Sequence, residues 1–260
     1  MVITSRNNPF VRHILSLREK KFRREAGEFV VEGVKQVNEA LAGGCEVKAV
    51  VCAESFAEAG RFEDAVLVSD GVFEKLSGEV TPQGVLALLA IPDLTPRPPQ
   101  GKALLLDGVS DPGNMGAILR TANAAGYADV YLRGCVDPFS PKSVRAAMSG
   151  LFFVRLHAGE DAELANCLAG VPLLCADMGG EDVFSFSPPP RFCLVIGNEA
   201  NGVSKEVRAR CAHTVRIPMR ESCESLNAAV SAGILMYELQ YARERKLSHG
   251  LKGEDTDVRT

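Results

Sequence analysis

Several features that would assign this chain to a class at once are missing from it. No apolar run approaches the roughly eighteen residues that a membrane-spanning helix needs. No two cysteines form a C-x-x-C pair, which argues against a zinc site or a redox dithiol. The N-terminal segment has scattered charges and no apolar core before a cleavage site, so it does not resemble a secretory signal. We therefore expect a reduced, cytoplasmic protein.

Charge is unevenly distributed along the 260 residues. The formal net charge is −4, yet residues 1–24 carry seven basic residues against Glu19 alone, a net +6, which leaves −10 for the remainder. The seven candidates for RNA binding are Arg6, Arg12, Arg18, Lys20, Lys21, Arg23 and Arg24. A basic arm on an acidic body is typical of phosphate binding, and a solvated helix face explains it equally well.

A proline-rich segment divides the chain. Residues 91–101 contain four prolines, which block both helices and inner strands and indicate a semi-rigid linker. We predict a first domain over residues 1–91, the linker over 92–101, a second domain over 102–246 and a polar tail over 247–260.

Both domains are predicted to be α/β. The first begins with a helix over Pro9–Arg24 and continues as a small alternation of strands and helices. In the second, apolar strands such as Ala103–Leu106 and Phe192–Ile196 alternate with helices, and a last helix covers Ser225–Arg243. Continuous apolar strands are typical of a parallel sheet covered on both faces, whose ligand sites lie at the carboxyl ends of the strands.

The first chemistry-bearing segment is Asp107–Gly126, where an apolar strand leads through a glycine-bearing loop into a helix. Asn114 is placed to cap this helix, and Arg120 follows six residues later. The glycine spacing is G-x-x-x-x-G-x-x-G, which does not match the dinucleotide fingerprint G-x-G-x-x-G. A nucleotide-dependent oxidoreductase using Asp137 is therefore a weak alternative, and a plain strand-to-helix turn is another.

Two further segments follow buried strands. In Ile196–Ser204, Glu199 comes directly after an apolar strand, and Ser204 is placed to cap the next helix. In Ile217–Ala232, a polar loop leads to a helix that Ser225 is placed to cap. That helix has an apolar stripe at helical spacing, which indicates core packing or a subunit interface. The stripe consists of Leu226, Ala229, Val230, Gly233, Ile234 and Tyr237.

Together the segments resemble the three motifs of the SpoU (TrmH-like) family of RNA 2′-O-ribose methyltransferases in the SPOUT superfamily. DPGNMGAILRTANAAG resembles the first motif, IGNEANGVS the second and IPMRESCESLN the third. The resemblance covers roughly Lys102–Arg243. Residues 3–33, and more weakly those up to about 91, resemble the ribosomal-protein-like RNA-binding domain often attached to this family. This resemblance favours RNA contact for the basic arm.

The resemblance implies a parallel α/β fold with a deep trefoil knot, a homodimer, and S-adenosylmethionine as methyl donor. The substrate would be RNA, more often ribosomal than transfer RNA. The residues that would bind the donor are Ile196, Gly197, Ile217, Met219, Leu226 and Ala228.

The resemblance also implies the catalytic set. Arg120 would be the critical residue. Because a guanidinium stays protonated at physiological pH and is a poor proton acceptor, we expect it to hold phosphate and stabilise developing alkoxide charge. Asn114 would orient the nucleophile or Arg120, and Glu199 would position Arg120 or RNA. Ser225 and Asn227 would shape the site. None of the four histidines falls in a motif, so neither a histidine base nor a metal is expected.

One position departs from the family pattern. Glu221 stands where the third motif usually has glycine, and a charge there is expected to weaken donor binding. This departure keeps a non-catalytic RNA-binding protein open as the alternative.

Overall fold

The computed structural model describes residues 2–250 except 57 and 63, and for residues 243–250 it describes the backbone alone. The chain forms two compact units. The first contains Met1–Asp93 and Asp137–Phe153, and the second contains Leu94–Val136 and Val154–Thr260. Within the described residues, no helix is both long enough and apolar enough to cross a membrane.

The first unit is built on a mixed sheet with spatial order β1-β4-β3-β5-β2. β5 runs antiparallel to its neighbours β2 and β3, while β1, β4 and β3 are parallel. The strands are β1 (Val2–Ile3), β2 (Glu28–Glu32), β3 (Val47–Ala53), β4 (Val66–Val68) and β5 (Val85–Ala90).

Five helices in the described part of the chain cover this sheet. They are numbered in chain order, and α5 is not among them because it lies in the second unit. They are α1 (Pro9–Ser16), α2 (Lys20–Ala26), α3 (Val34–Ala42), α4 (Asp70–Leu76) and α6 (Pro141–Ala147). Short 3₁₀ helices cover Ala59–Arg61 and Met148–Phe152. Val11 and Ile14 of α1 pack with Val72 and Phe73 of α4 against the apolar face of the sheet.

The predicted continuous helix over Pro9–Arg24 is wrong, because the chain turns between α1 and α2. The guanidinium of Arg23 explains the break. Its Nη1 donates to the carbonyl oxygens of Leu17 (2.7 Å) and Arg18 (2.8 Å), just past the end of α1. Carbonyls at a helix end need such partners once the helix stops, and here a side chain from the next helix supplies them.

The second unit contains a six-stranded sheet in which every strand pair is parallel, as predicted. Its spatial order is β11-β9-β10-β6-β7-β8. The strands are β6 (Ala103–Asp107), β7 (Asp129–Arg133), β8 (Arg155–Ala158), β9 (Leu173–Asp182), β10 (Cys193–Gly197) and β11 (His213–Arg216). All five residues of β6 are buried, which fits a strand covered on both faces.

Four helices of this unit connect or flank the strands in the described residues: α5 (Pro112–Ala124), α7 (Asp161–Cys167), α8 (Lys205–Arg208) and α9 (Ala228–Gly250). α9 packs against α5, where Gly233 lies close to the methyl group of Thr121. The buried face of α9 presents Ala232, Leu235, Met236 and Leu239.

The proline-rich segment is held along the second unit from Leu94 onward. The amide of Ala158 donates to the carbonyl of Leu94 (2.8 Å), and the hydroxyl of Tyr131 donates to the carbonyl of Arg97 (2.6 Å). The amide of Gln100 donates to the buried carboxylate of Asp129 (3.0 Å). Proline prevents these residues from forming a strand, so hydrogen bonds with Ala158, Tyr131 and Asp129 hold them in place instead.

Residues 137–153 lie inside the predicted second domain but pack within the first unit. Asp137 pairs with Arg23 there, and Phe139 packs against the ring of Phe29 at a centroid distance of 4.9 Å. The chain therefore passes between the units three times, where the proline-rich segment alone predicted a single connection.

Candidate active site

The site lies at the carboxyl ends of β6 and β10, which are neighbours in the sheet. Gly197 at the end of β10 is in register with Asp107 at the end of β6. Parallel strands bring their carboxyl ends to one edge, so the loops that follow them meet. We call residues 197–204, which leave β10, the β10 loop.

The start of α5 is fixed by Asp111 and not by Asn114, which corrects the predicted cap. The carboxylate of Asp111 accepts the amide of Asn114 at 2.8 Å, and Pro112 stands in the first turn. Aspartate followed by proline is a recognised helix start, and the sequence therefore carried this signal. Because its side chain is not needed as a cap, Asn114 is free to reach the β10 loop.

Glu199 of the β10 loop binds the start of α5 with both carboxylate oxygens. Its Oε1 accepts the amide of Asp111 (3.1 Å) and the side-chain amide of Asn114 (3.0 Å). Its Oε2 accepts the amide (3.0 Å) and hydroxyl (2.8 Å) of Ser110. Glu199 thus joins the second predicted motif to the first.

These hydrogen bonds decide the charge of Glu199. Burial raises the pKa of the carboxyl, but the hydrogen bonds from Asn114, Ser110 and Asp111 outweigh it and lower the pKa from 4.5 to about 2. The group is therefore ionised at neutral pH and accepts hydrogen bonds on both oxygens. A carboxylate in this state is a poor general base near pH 7.

Asn227 adds the third motif to the same network. Its Nδ2 donates to Oδ1 of Asn114 at 2.9 Å. Its own Oδ1 accepts the amides of Ala229 (2.9 Å) and Val230 (3.2 Å), so Asn227 caps α9. The prediction that Ser225 caps this helix is wrong, because α9 begins at Ala228.

Arg120 lies on an exposed part of α5, six residues beyond Asn114. That separation corresponds to a rise of about 9 Å along the helix. The side chain of Arg120 forms no hydrogen bond or ion pair with another residue that the structure describes. Glu199 and Asn114 bind each other, and neither binds Arg120. The guanidinium is accordingly presented to solvent.

A cavity of about 400 Å³ opens beside the β10 loop. Its wall contains all six residues expected to bind the donor: Ile196, Gly197, Ile217, Met219, Leu226 and Ala228. Glu199, Ser225 and Ser231 add polar groups to the same wall. Ser204 caps α8 by accepting the amide of Val207 (3.4 Å), as predicted from the sequence.

The size and lining of this cavity fit S-adenosylmethionine. Small-molecule sites usually enclose about 300–1,000 Å³ and combine apolar walls with a few polar groups. Here isoleucine, leucine and methionine side chains would provide apolar walls for the adenine and the methionine chain.

Gly197 is required by the close approach of the β10 loop to itself. A Cβ at this position would lie 2.1 Å from the carbonyl carbon of Gly202. Asn198 and Gly202 then exchange backbone hydrogen bonds of 2.9 Å, and Gly202 adopts a φ of +66°. Only glycine meets both demands without strain.

The loop before α9 is exposed throughout residues 220–227. Glu221, the departure from the family pattern, projects from it and forms no ion pair within the described residues. It is also absent from the wall of the cavity. The expected effect of Glu221 on donor binding therefore has no contact in the structure to support it.

The basic arm separates into buried and exposed members. Arg23 is 3% exposed and pairs with Asp137 through Nε (3.0 Å) and Nη2 (2.6 Å). Arg18 donates to three carbonyl oxygens, those of residues 75–77. Lys20, Lys21 and Arg24 are exposed on α2, and Arg6 and Arg12 are exposed on the preceding segment and α1. The burial of Arg23 does not fit its predicted contact with RNA.

The oxidoreductase alternative loses its acidic residue. Asp137 would have to face a ribose, but it is bound by Arg23 in the first unit.

Three members of the site network were not predicted from the sequence: Ser110, Asp111 and Asn198. The side-chain amide of Asn198 donates to the carbonyl of Gly108 at 2.8 Å, a second tie between the β10 loop and the chain after β6.

Comparison with known proteins agrees with this geometry. Residues 101–237 match the SpoU rRNA Methylase family, and residues 8–87 match the MRM3-like substrate binding domain. The chain is 33% identical to the 23S rRNA (uridine(2479)-2′-O)-methyltransferase of Streptomyces viridochromogenes, over 91% of this chain and 90% of that protein. It is 31% identical to the 23S rRNA (guanosine(2553)-2′-O)-methyltransferase RlmP of Bacillus subtilis, over 92% and 98% of the two chains.

A solved structure extends the similarity to the fold. The S-adenosylmethionine-bound rRNA methyltransferase from Sinorhizobium meliloti superposes with a TM-score of 0.82 at 30% identity, covering 93% of this chain and 98% of that one. The expected SPOUT-type α/β fold with an N-terminal substrate-binding domain is thereby confirmed. Given the family match over residues 101–237 and a relative 33% identical across 91% of its length, the chain belongs to the SpoU rRNA methylase family.

Proposed function

We propose that this chain transfers a methyl group from S-adenosylmethionine to a ribose 2′-hydroxyl of ribosomal RNA. The observation that carries the proposal is the convergence of the three motif segments on one cavity edge, through the contacts Glu199–Asn114 and Asn114–Asn227. The names of the relatives support ribosomal RNA as the substrate class.

Donor binding is assigned to the cavity beside the β10 loop. When bound there, S-adenosylmethionine supplies an electrophilic methyl group on a sulfonium. Ile196, Ile217 and Leu226 would enclose the donor and exclude water, while Gly197 allows the loop backbone to come close. Met219 and Ala228 complete the wall.

Arg120 is proposed to act on the RNA. Its exposed guanidinium would bind a phosphate of the substrate and stabilise negative charge that develops on the attacking 2′-oxygen. Arginine does not lose its proton at physiological pH, so we assign it no role as a base. Glu199 is assigned none either, because its pKa lies at about 2.

The Glu199–Asn114–Asn227 chain is proposed to align the three segments. Both groups of the Asn114 amide are engaged, Nδ2 by Glu199 and Oδ1 by Asn227. The amide is thereby held in one orientation. This keeps the carboxyl ends of β6 and β10 and the start of α9 in fixed positions relative to one another. Ser225 would shape the cavity that these elements enclose.

We also propose a homodimer and a cytoplasmic location. The exposed apolar stripe of α9, formed by Val230, Tyr237 and Tyr241, gives a second copy a surface to cover. All eight cysteines are free thiols, which suits a reducing compartment. The trefoil knot of the family remains our expectation for the chain that follows β10.

Calorimetry with S-adenosylmethionine and methyl transfer to total RNA test the proposed function together. We expect saturable donor binding and new 2′-O-methyl sites in ribosomal RNA, mapped by mass spectrometry with and without the protein. Arg120→Ala should lower transfer by about a hundredfold, as expected for a lost charge-stabilising group, and leave the donor Kd nearly unchanged.

Arg210→Ala is the matched control, because Arg210 is exposed in the same unit and bonds only the carbonyl of Ala165 among the described residues. It should transfer methyl groups at the wild-type rate. Donor binding without any RNA methylation would favour a non-catalytic RNA-binding protein. Absence of donor binding at millimolar concentration would overturn the proposal.

A further inference from the structure

Asp107 is a buried carboxylate at the edge of the sheet where the donor cavity opens. It ends β6 and is 4% exposed. Carboxylates are almost never buried to this degree unless they are paired and hydrogen-bonded. Asp107 is absent from the wall of the cavity, so its burial has to be explained by the protein groups that it binds.

Both oxygens of Asp107 accept strong hydrogen bonds. Oδ1 accepts Nη1 of Arg133 at 2.7 Å, and Oδ2 accepts the backbone amide of Ser204 at 2.7 Å. The same Nη1 of Arg133 donates to the Ser204 hydroxyl at 3.1 Å. Arg133 is in turn fixed by Asp161, through bonds of 3.0 Å and 2.6 Å.

This arrangement holds the β10 loop at both of its ends. At the first end, Gly197 is in register with the backbone of Asp107. At the other end, the amide of Ser204 binds the side chain of the same aspartate. One residue therefore sets the separation between the loop's entry and its exit, while Gly197, Asn198, Glu199 and Gly202 between them form cavity wall.

We propose that Asp107 is a positioning residue that sets the conformation of the β10 loop and thereby the affinity of the cavity for S-adenosylmethionine. The consequence for binding rests on the proposed function. Charge supports the assignment: burial opposes ionisation of Asp107, but hydrogen bonds from Arg133 and Ser204 outweigh it and lower the pKa of the carboxyl. The charged acceptor is thus maintained where a neutral side chain would bind the two donors less strongly.

Asp107→Asn is the direct test. The asparagine side chain keeps one oxygen acceptor, but its NH₂ group then faces another donor, either the Arg133 guanidinium or the backbone amide of Ser204. We expect the Kd and KM for S-adenosylmethionine to rise about tenfold, as for the loss of one charge-assisted hydrogen bond. The kcat at saturating donor and the KM for RNA should stay within about twofold. A role in stability alone would lower the melting temperature and leave the donor Kd of the folded protein unchanged.

Ser204→Pro is a second variant that leaves Asp107 and Arg133 intact. It removes the amide that donates to Asp107, and the Ser204 φ of −58° suits a proline ring. Ser204→Ala keeps that amide and removes the hydroxyl, so it isolates the loss of the cap on α8 and of the hydrogen bond from Arg133. Glu206→Gln, which removes an exposed carboxylate that lies outside this hydrogen-bond network, is the matched charge control. Both controls should bind the donor within about twofold of wild type.

Hydrogen exchange of residues 197–204 in the donor-free protein provides a readout independent of activity. Asp107→Asn and Ser204→Pro should accelerate exchange in this loop, and Glu206→Gln should not. If the wild type bound no donor, the proposed function would fail. The exchange rates would still test whether Asp107 sets the conformation of the β10 loop. Unchanged exchange and unchanged donor Kd in both loop variants would overturn the inference.

Discussion

At the scale of single residues, the site depends on side chains that are occupied by one another. Glu199 accepts hydrogen bonds on both carboxylate oxygens, and Asn114 uses both ends of its amide. Arg120 is the contrasting case, because its side chain is exposed and forms no hydrogen bond with the described residues. This contrast separates groups that hold the site together from one that is free to meet a substrate.

Glu199→Gln tests that separation through pH. The lowered pKa means that the folded state holds its proton less tightly than the unfolded chain, with values of about 2 and 4.5. The contribution of Glu199 to stability is therefore fully present above pH 4.5 and disappears as the pH falls toward 2. We expect the melting temperature of Glu199→Gln to fall less than that of wild type between pH 5 and about 2.

Glu206→Gln, which changes an exposed carboxylate of the same unit, serves as the control and should follow the wild-type curve. Above pH 5 the wild type and Glu199→Gln should show the same pH dependence of transfer, because Glu199 does not titrate there. An inflection of the rate near pH 7 that Glu199→Gln abolishes would make Glu199 the base and contradict our assignment.

At the scale of elements, α2 presents a basic face whose members differ in availability. Lys20, Lys21 and Arg24 are exposed, and only Lys21 has an ion-pair partner within the described residues, Glu25 at 3.9 Å. Arg23 on the same helix is turned inward to Asp137. A helix whose outward face is basic and whose inward arginine fixes it to its unit is well suited to bind phosphates.

Replacing Lys20, Lys21 and Arg24 together by glutamine should weaken RNA binding and reduce its salt dependence. The slope of log Kd against log salt is expected to fall by about two, given roughly 0.7–0.9 for each phosphate contact. Filter binding across a salt series measures it, and the donor Kd should not change. The control replaces three exposed cations that already pair with glutamates, Lys35, Lys48 and Arg61. Equal slopes for the two triple variants would remove α2 from the RNA interface.

At the scale of the whole molecule, the long helix α9 has two apolar faces. One is buried within the second unit, and the other contains Val230, Tyr237 and Tyr241, which are 50%, 43% and 41% exposed. The rings of Tyr237 and Tyr241 stack at 6.0 Å on this outer face. An exposed apolar stripe of this kind beside an exposed cavity loop supports the proposed dimer interface.

Val230→Glu combined with Tyr237→Glu should convert a dimer into a monomer. Charges placed on the stripe would be buried without partners in a symmetric interface, which strongly disfavours association. Analytical ultracentrifugation gives the mass directly, and we expect methyl transfer to fall with dimer content. Leu41→Glu with Val80→Glu introduces the same charges at exposed apolar positions of the first unit and should leave the mass unchanged. A monomeric wild type would contradict the proposed dimer.

Much of this protein was determined by the sequence alone, because the information is local. The alternation of apolar strands with helices predicted the parallel sheet, and the order of three short segments identified the family. Ser204 followed by Lys205 and Glu206 predicted a helix start that the structure contains. Such features depend on neighbours within a few residues, which sequence patterns record directly.

The tertiary structure alone decided which side chains meet. Asn114 and Glu199 are 85 residues apart, and Asp107 and Ser204 are 97 apart, yet each pair shares a hydrogen bond of 3.0 Å or less. The break between α1 and α2 likewise depends on Arg23 turning inward to Leu17, Arg18 and Asp137. Strand register and burial determine these contacts, and both arise only when distant segments pack together. The three motif segments therefore predicted the chemistry from the sequence. Only the tertiary structure showed that Asp111, Asn227 and Asp107 hold these segments in place.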